Sequence, residues 1–312
     1  MTTVIFNSYV RIHSYFVQMS ISLKKLKKER EQTATLRDVG ETIQRISAIH
    51  RARIENQREG VRQFRASLLE FAGESLPLEV VYPEIQKNKQ KPLLFVIGPE
   101  KGLVGDLNRE IAYTLERRLE WHSYKHVFVA GNRLCGFIKS TTSVEFSPYP
   151  ALSDRPSRQE LAEHVHTMLE GRRKDDWNVV ELLYPAYESI TTYKVTEKKL
   201  LPLVVRRKIA TTRTTHNINQ YFIEPNMEAI TRRLEEMLFA AELYEVFLEA
   251  RYVELSQRLL ASTRATENAK RILKLLRHTY LREARGRTTR TINEIFTGRM
   301  AHAIKKRLAI SS

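Results

Sequence analysis

The residues able to do chemistry are few and scattered. The stretch "GPEKGLVGDLN", Gly98 to Asn108, follows a predicted strand and opens a predicted helix. That is the setting in which backbone N–H groups cradle a phosphate. It lacks the Gly-Lys-Ser/Thr ending and the G-x-G-x-x-G spacing, so it reads first as a tight strand-to-helix turn with Asp106 as N-cap. A nucleotide loop of a stand-alone enzyme is the alternative. His122 and His126 stand four apart and His164 and His166 two apart. Four-residue spacing on a helix suits a metal, but no H-E-x-x-H frame or Cys pair accompanies either pair, and both read as surface helix. Asp175/Asp176 and Glu235/Glu236 are adjacent, and neighbours on a helix do not face one another as an acid–base couple must. Cys135 is the single cysteine. It cannot form an intrachain disulfide and, with no His nearby, is a poor nucleophile; its isolation suits a reducing compartment. No Ser-His-Asp arrangement has a local signature. No catalytic residue, cofactor site or metal site is expected.

The elements that would carry such residues are more informative. All ten prolines lie between Pro77 and Pro225. Proline costs ~3 kcal/mol inside a helix, so its absence at both ends predicts long helices there. The N-terminal one places apolar residues at Leu23, Leu26, Leu36, Val39, Ile43 and Ile46, with Arg30 and Thr33 where the stripe lapses. The C-terminal one does so at Ile230, Leu234, Met237, Ala241 and Tyr244, then at Ala265, Ala269, Ile272, Leu276 and Tyr280. A narrow stripe sustained this long indicates a coiled-coil seam. At 1.5 Å per residue, ~80 helical residues reach roughly 120 Å. Between them, residues 92–98, 126–131 and 178–185 read as buried strands, and 106–120 as an amphipathic helix with Leu107, Ile111, Leu115 and Leu119 on one face. That order predicts a small parallel or mixed sheet. One long helix enters this domain and the other leaves it, so the two can pair antiparallel. The segments expected are a 1–21 extension (with Met19 as an alternative start), a 22–75 helix, a 76–222 α/β domain and a 223–312 helix.

Formal charge is +16, from 52 basic and 36 acidic residues. Such a balance suits either nucleic acid or an acidic protein or membrane surface. Nine Lys/Arg fall between Arg277 and Arg307 against Glu283 and Glu294 alone, and a second basic block contains Lys24, Lys25, Lys27 and Lys28. Antiparallel pairing brings both blocks to one end of the coil. No aromatic interleaving or binding module accompanies them, so a nucleic-acid-binding coiled coil is the weaker alternative. The longest apolar runs are far short of the roughly 20 residues that span a bilayer, so no direct membrane insertion is expected.

The stretch "ASTRATENAKRILKLLRHTYLREARGRTTRTINEI" resembles the C-terminal signature of the gamma subunit of F-type ATP synthases: Ala265, Thr266, Glu267, Asn268 and Ala269, then Tyr280, Thr289, Glu294 and Ile295. Three further segments are similar to that family in order: Ser22–Ala48 to its opening helix, Gly102–Asn108 to its glycine turn, and Tyr193–Leu203 to the segment returning to the shaft. Val104 and the Tyr193–Leu203 pattern resemble an alternative, sometimes sodium-coupled, branch. Departures fall at Ile43 and Gln44 (usually Met-Lys), at Ala284 and Arg285 (usually Arg-Gln), and in the charged tail after Ala303. The resemblance implies an α/β protein: a long antiparallel coiled coil of N- and C-terminal helices with a small Rossmann-like foot domain between. It implies a non-catalytic rotor shaft coupling ion flow to ATP synthesis or hydrolysis. Its partners would be the alpha and beta subunits of the catalytic ring, the epsilon subunit and the membrane c-ring, with no nucleic acid. The complex would lie on the cytoplasmic face of a bacterial plasma membrane. Lys24, Lys27, Lys28, Arg282, Arg285, Arg287 and Arg290 are the expected ring contacts.

Overall fold

The structure, a computed structural model, describes residues 23–75, 92–153, 157–173, 179–201, 224 and 226–310. The 1–21 extension and Asp175/Asp176 lie outside these residues. Helix α1 covers Leu23–Ser75. There follow β1 (Leu93–Ile97), α2 (Leu107–Trp121), β2 (His126–Ala130), α3 (Asn132–Thr141), β3 (Ser147–Tyr149), α4 (Arg158–Arg173), β4 (Val180–Tyr187) and β5 (Tyr193–Leu201). The chain closes with α5, one helix of 84 residues from Met227 to Ile310. Its first turn is capped by Asn226, whose Oδ1 accepts the Ala229 N–H at 2.8 Å. That bond satisfies one of the donors every helix start leaves free. Two compact units result: Ile43–Ser262, and the residues up to Thr42 together with Thr263 onward.

In the Ile43–Ser262 unit the sheet runs β3-β2-β1-β4-β5. The first four strands are parallel and β5 pairs antiparallel with β4. A parallel strand buried on both faces needs an unbroken apolar run, and β1 is "LLFVI". Alternation divides it: Leu93, Phe95 and Ile97 pack against α4 (Val165, Met168) and α5 (Phe239, Leu243, Phe247). Leu94 and Val96 pack against α2 (Leu107, Ile111, Leu115) and α3 (Leu134, Ile138). Pro185 is tolerated inside β4 because the β1 pairing ends at Val96–Leu183, leaving no ladder partner on that side for a missing N–H. Helix α5 here is buried nearly all round from Ala241 to Gln257. It lies against the sheet on one side and against α1 on the other, through Ile54 with Leu248, Tyr252 and Leu255, and Leu68 with Leu234, Leu238 and Ala241. As α1 advances its partners on α5 recede, so the pair is antiparallel.

In the second unit the pairing is again antiparallel. The Arg30 guanidinium lies over the Tyr280 ring, 5.7 Å from its centroid. Lys270 Nζ is 3.0 Å from a Glu41 carboxylate oxygen. The buried seam of α5 passes through Thr266, Ala269, Leu273, Leu276 and Tyr280, steps of three and four.

The seam differs from the apolar stripe expected. Leu36, Val39 and Ile46 are exposed, Leu36 at 68%. On α5, Ala265 and Ile272 are exposed too. The seam of α1 instead recurs every seven residues, at Leu26, Thr33, Gly40, Ser47, Ile54, Val61 and Leu68, all buried or half-buried. Three of those seven are Thr, Gly and Ser, which a search for hydrophobic residues passes over. The first of the two lapses, Arg30, is the residue stacked on Tyr280.

Candidate functional site

The loop after β1 is built by close approach. A Cβ at Gly98 would come 2.3 Å from Leu134 Cδ2, and one at Gly131, whose φ is +115°, would come 2.5 Å from the Gly98 carbonyl oxygen. Only glycine fits at 131, and a larger residue at 98 would have to displace Leu134. Leu103 holds φ 63°, a region few side-chain-bearing residues adopt, and Gly105 follows at 59°. Asp106 stands at the α2 N-cap position but its side chain makes no capping bond. It pairs instead with Arg109 at 3.0 Å, while its carbonyl accepts the Glu110 N–H.

Two backbone donors of this loop are taken by a carboxylate of the protein itself. Glu254 of α5, 2% exposed, accepts the Glu100 N–H at 3.3 Å on Oε2 and the Lys101 N–H at 3.2 Å on Oε1. Arg251 and Arg258, one turn away on either side, each donate to a different oxygen of the same carboxylate. Arg258 Nε also donates to the Gly102 carbonyl at 3.2 Å. In open sheets of this order, ligands bind beyond the strand ends where the order reverses, here between β1 and β4. A carboxylate from α5 accepts two of the loop's N–H groups, so the loop is a turn clamped to a helix.

The α1–α5 pairing in this unit is ionic as well as apolar. Four positions beyond the seam positions from Leu26 to Val61, α1 carries Arg30 and Arg37 in the other unit and Gln44, Arg51, Arg58 and Arg65 in this one. Arg58, 3% exposed, sits between Glu55 (3.1 Å) and Glu249 (3.7 Å), with the Tyr252 ring 4.8 Å away. Arg65 reaches Glu242 and Glu245, both at 2.7 Å. Lys198 of β5 pairs with Glu242 from the other side, and the Tyr187 N–H donates to Glu249 at 3.2 Å. Burial, with the carboxylates of Glu249, Glu245 and Glu242 beside it, pushes the Tyr184 hydroxyl up to about 12.

The residues expected to contact a ring lie in the other unit, and all seven are exposed: Lys24, Lys27, Lys28, Arg282, Arg285, Arg287 and Arg290. The three lysines share one face of α1 by their spacing of three and four. The four arginines spread round more than half the circumference of α5, so they form a basic collar there. Continuing the register of Arg30 on Tyr280 sets the lysines alongside residues 282–286. From Arg285 to Met300 every residue of α5 is exposed. Ile292, Ile295, Phe296 and Met300 recur at helical spacing along one face of that stretch.

The other chemical candidates separate. His122 is the α2 C-cap in extended backbone and His126 begins β2, so the pair does not share a helix. His164 stacks edge-on to Tyr149 at 5.2 Å, and His166 is exposed on α4. Glu235 and Glu236 are half-buried neighbours on α5, with Glu236 paired to Arg233. Cys135 donates to the Val129 carbonyl, and burial pushes its thiol up, away from thiolate chemistry. Among the described residues no group of three potential ligands could hold a metal ion, and no helix is long and apolar enough to cross a membrane.

Sequence reasoning missed the Glu254 clamp and the arginine ladder. The first was visible as Arg251, Glu254 and Arg258 at i, i+3 and i+7 inside an apolar stretch of helix. The second showed as basic residues recurring every seven positions.

A family model described as ATP synthase matches residues 22–302. The ATP synthase gamma chain of Trichlorobacter lovleyi is 23% identical, covering 91% of this chain and 99% of that one. The gamma chain of Roseiflexus sp. (strain RS-1) is 24% identical, over 90% of this chain and 99% of its own length. Among solved structures, a chain of the Euglena gracilis mitochondrial ATP synthase (OSCP/F1/c-ring, rotational state 3) aligns with a TM-score of 0.62 at 13% identity, covering 91% of this chain and 95% of that chain. A chain of the Tetrahymena thermophila ATP synthase central stalk/c-ring aligns at 0.54 with 18% identity, covering 73% and 99%. With the family model matched over most of its length and two long helices flanking the parallel-dominated sheet, this chain belongs to the ATP synthase gamma-chain family.

Proposed function

We propose that this chain is the central rotor shaft of an F-type ATP synthase, a non-catalytic subunit that couples ion flow to nucleotide chemistry performed elsewhere. One observation carries the reading. A single uninterrupted helix, α5, is buried in an α/β unit over one stretch and wholly exposed from Arg285 to Met300 over another. A helix of that length, exposed all round from Arg285 to Met300, suits contact with a surrounding partner. Of the seven basic positions, the four arginines spread round more than half of α5, which fits a contact whose azimuth changes as the shaft turns. Acidic loops on the alpha and beta subunits would meet this collar, where electrostatics set register and association rate more than affinity. The α/β unit would form the foot, meeting the epsilon subunit and the c-ring. The structural relatives, which come from F1/c-ring and central stalk/c-ring assemblies, support that reading. The domain division 22–75, 76–222 and 223–312 and a peripheral position on the cytoplasmic face of a bacterial membrane belong to the same reading.

The physical logic is a shift of populations. A shaft changes a catalytic site only through contacts that differ between that site's conformations. Rotation of an asymmetric shaft would present different residues to each site in turn. The test is co-expression with the cognate alpha and beta subunits, followed by sizing and an ATP hydrolysis assay. The expected result is a stable complex with one copy of this chain per ring and turnover that depends on it. A ring that assembles and turns over equally well without the chain contradicts the proposal.

A further inference from the structure

If α5 is a shaft, torque must pass between it and the α/β unit without the helix twisting in its seat. Most of the surface joining them is apolar: Phe239, Leu243, Val246 and Phe247 against the sheet. Apolar cores tolerate repacking as long as volume is kept, so such a surface resists separation better than it fixes azimuth. Tyr187 N–H to Glu249 and Lys198 to Glu242 add single directional bonds between sheet and helix, whereas the clamp at Glu254 gathers several on one residue. Two backbone N–H groups of one loop and two guanidiniums of the helix converge on its two oxygens, and Arg258 returns a bond to the Gly102 carbonyl. A shift of α5 by one residue turns Glu254 by about 100° and breaks the contact with the loop.

The loop is in turn seated on the sheet. Gly98 N–H donates to the Ala130 carbonyl at 2.9 Å and Leu134 N–H to the Pro99 carbonyl at 3.2 Å. The Glu100 side chain accepts the Asn132 N–H at 2.9 Å, at the start of α3. Glu100 therefore connects α5 through its own N–H and α3 through its carboxylate. Leu103, held at φ 63° in the same loop, is the kind of backbone strain that persists only where surroundings over-determine it.

We infer that Glu254, with Arg251 and Arg258, is the torque anchor of this subunit, the positioning residue that locks the angle of α5 to the α/β unit. A buried ion cluster is a poor device for stability alone, since well-packed apolar residues hold a helix as firmly. Its directional bonds suit fixing an angle. This rests on the shaft reading above.

The test uses the assembled synthase in inverted membrane vesicles and reads ATP-driven ion pumping per ATP hydrolysed. Glu254→Ala leaves the hydrolysis rate of assembled enzyme close to that of the parent and lowers pumping per ATP by about fivefold, while Glu254→Gln, which keeps an acceptor oxygen but loses the charge, falls between. Val253→Ala, which trims an apolar core contact next door, leaves the ratio unchanged. An unchanged ratio in both Glu254 variants overturns the anchor and leaves the shaft standing. Loss of assembled complex with a normal ratio in what remains makes Glu254 merely structural and also overturns it. A parent chain that does not enter the complex overturns both readings.

Discussion

A buried carboxylate is costly unless its partners are fixed, and Glu181 on β4 has them: Arg118 at 3.0 Å and the Tyr124 hydroxyl at 2.7 Å. Burial acts against its charge, but these bonds outweigh it and hold the carboxyl below its ordinary range. The folded value lies below the unfolded one, so the stabilisation is complete above the unfolded carboxyl range near pH ~4.3 and is lost as the pH falls through the folded value. Glu181→Gln should therefore cost about 2–3 kcal/mol at neutral pH and flatten the acid limb of the stability curve. Urea denaturation across that pH range checks it; an unaltered acid limb would assign the acid sensitivity elsewhere. Arg58 supplies a second residue-scale expectation. Arg58→Ala should lose about 3 kcal/mol because it strips partners from Glu55 and Glu249 and empties the space beside Tyr252, whereas Arg58→Met should lose less by keeping the packed stem. Equal losses in the two variants would mean that the ion pairs, and not the packing, set the cost.

At the scale of the element, a seam defined by burial assigns different roles to residues one position apart. On α5, Ala265→Glu and Ile272→Glu fall on exposed positions and should change stability by no more than about 0.5 kcal/mol, while Ala269→Glu places a charge in the seam and should cost at least about 2 kcal/mol. Chemical denaturation of the three variants decides it, and similarly large losses at all three would restore the apolar stripe read from sequence. The helices themselves were legible because proline is absent from both ends, and α1 and α5 occupy those stretches. The parallel strands were legible from runs such as "LLFVI", and α2 from its apolar face. The short β3 and the lysine-bearing β5 carry no such pattern, since neither is an apolar run. The seam was misread because Thr33, Gly40 and Ser47 occupy positions of it that a search for apolar residues passes over. Of the candidate sites, the basic ends of both helices were visible as charge blocks. The clamp showed only its helical half, Arg251, Glu254 and Arg258, because the other partners of Glu254 are backbone N–H groups of a loop some 150 residues earlier in the chain.

On the scale of the whole molecule, the chain contributes mechanics and charge, with the chemistry carried out by its partners. The basic collar gives a salt-dependent expectation. Replacing Arg282, Arg285, Arg287 and Arg290 with Gln together should slow association with the ring and remove most of its dependence on ionic strength, since steering of exposed charges is screened beyond about 8 Å at physiological salt. Stopped-flow assembly at low and high salt reads this, and an unchanged salt dependence would move the contact to other residues. The central claim, that this subunit turns, is tested most directly by watching it. Trp121, 78% exposed on α2, gives a site for a probe as Trp121→Cys in a Cys135→Ser background. With the ring immobilised and ATP supplied, the probe should turn stepwise in one direction at a rate that follows hydrolysis. Steady hydrolysis beneath a stationary probe would contradict the account.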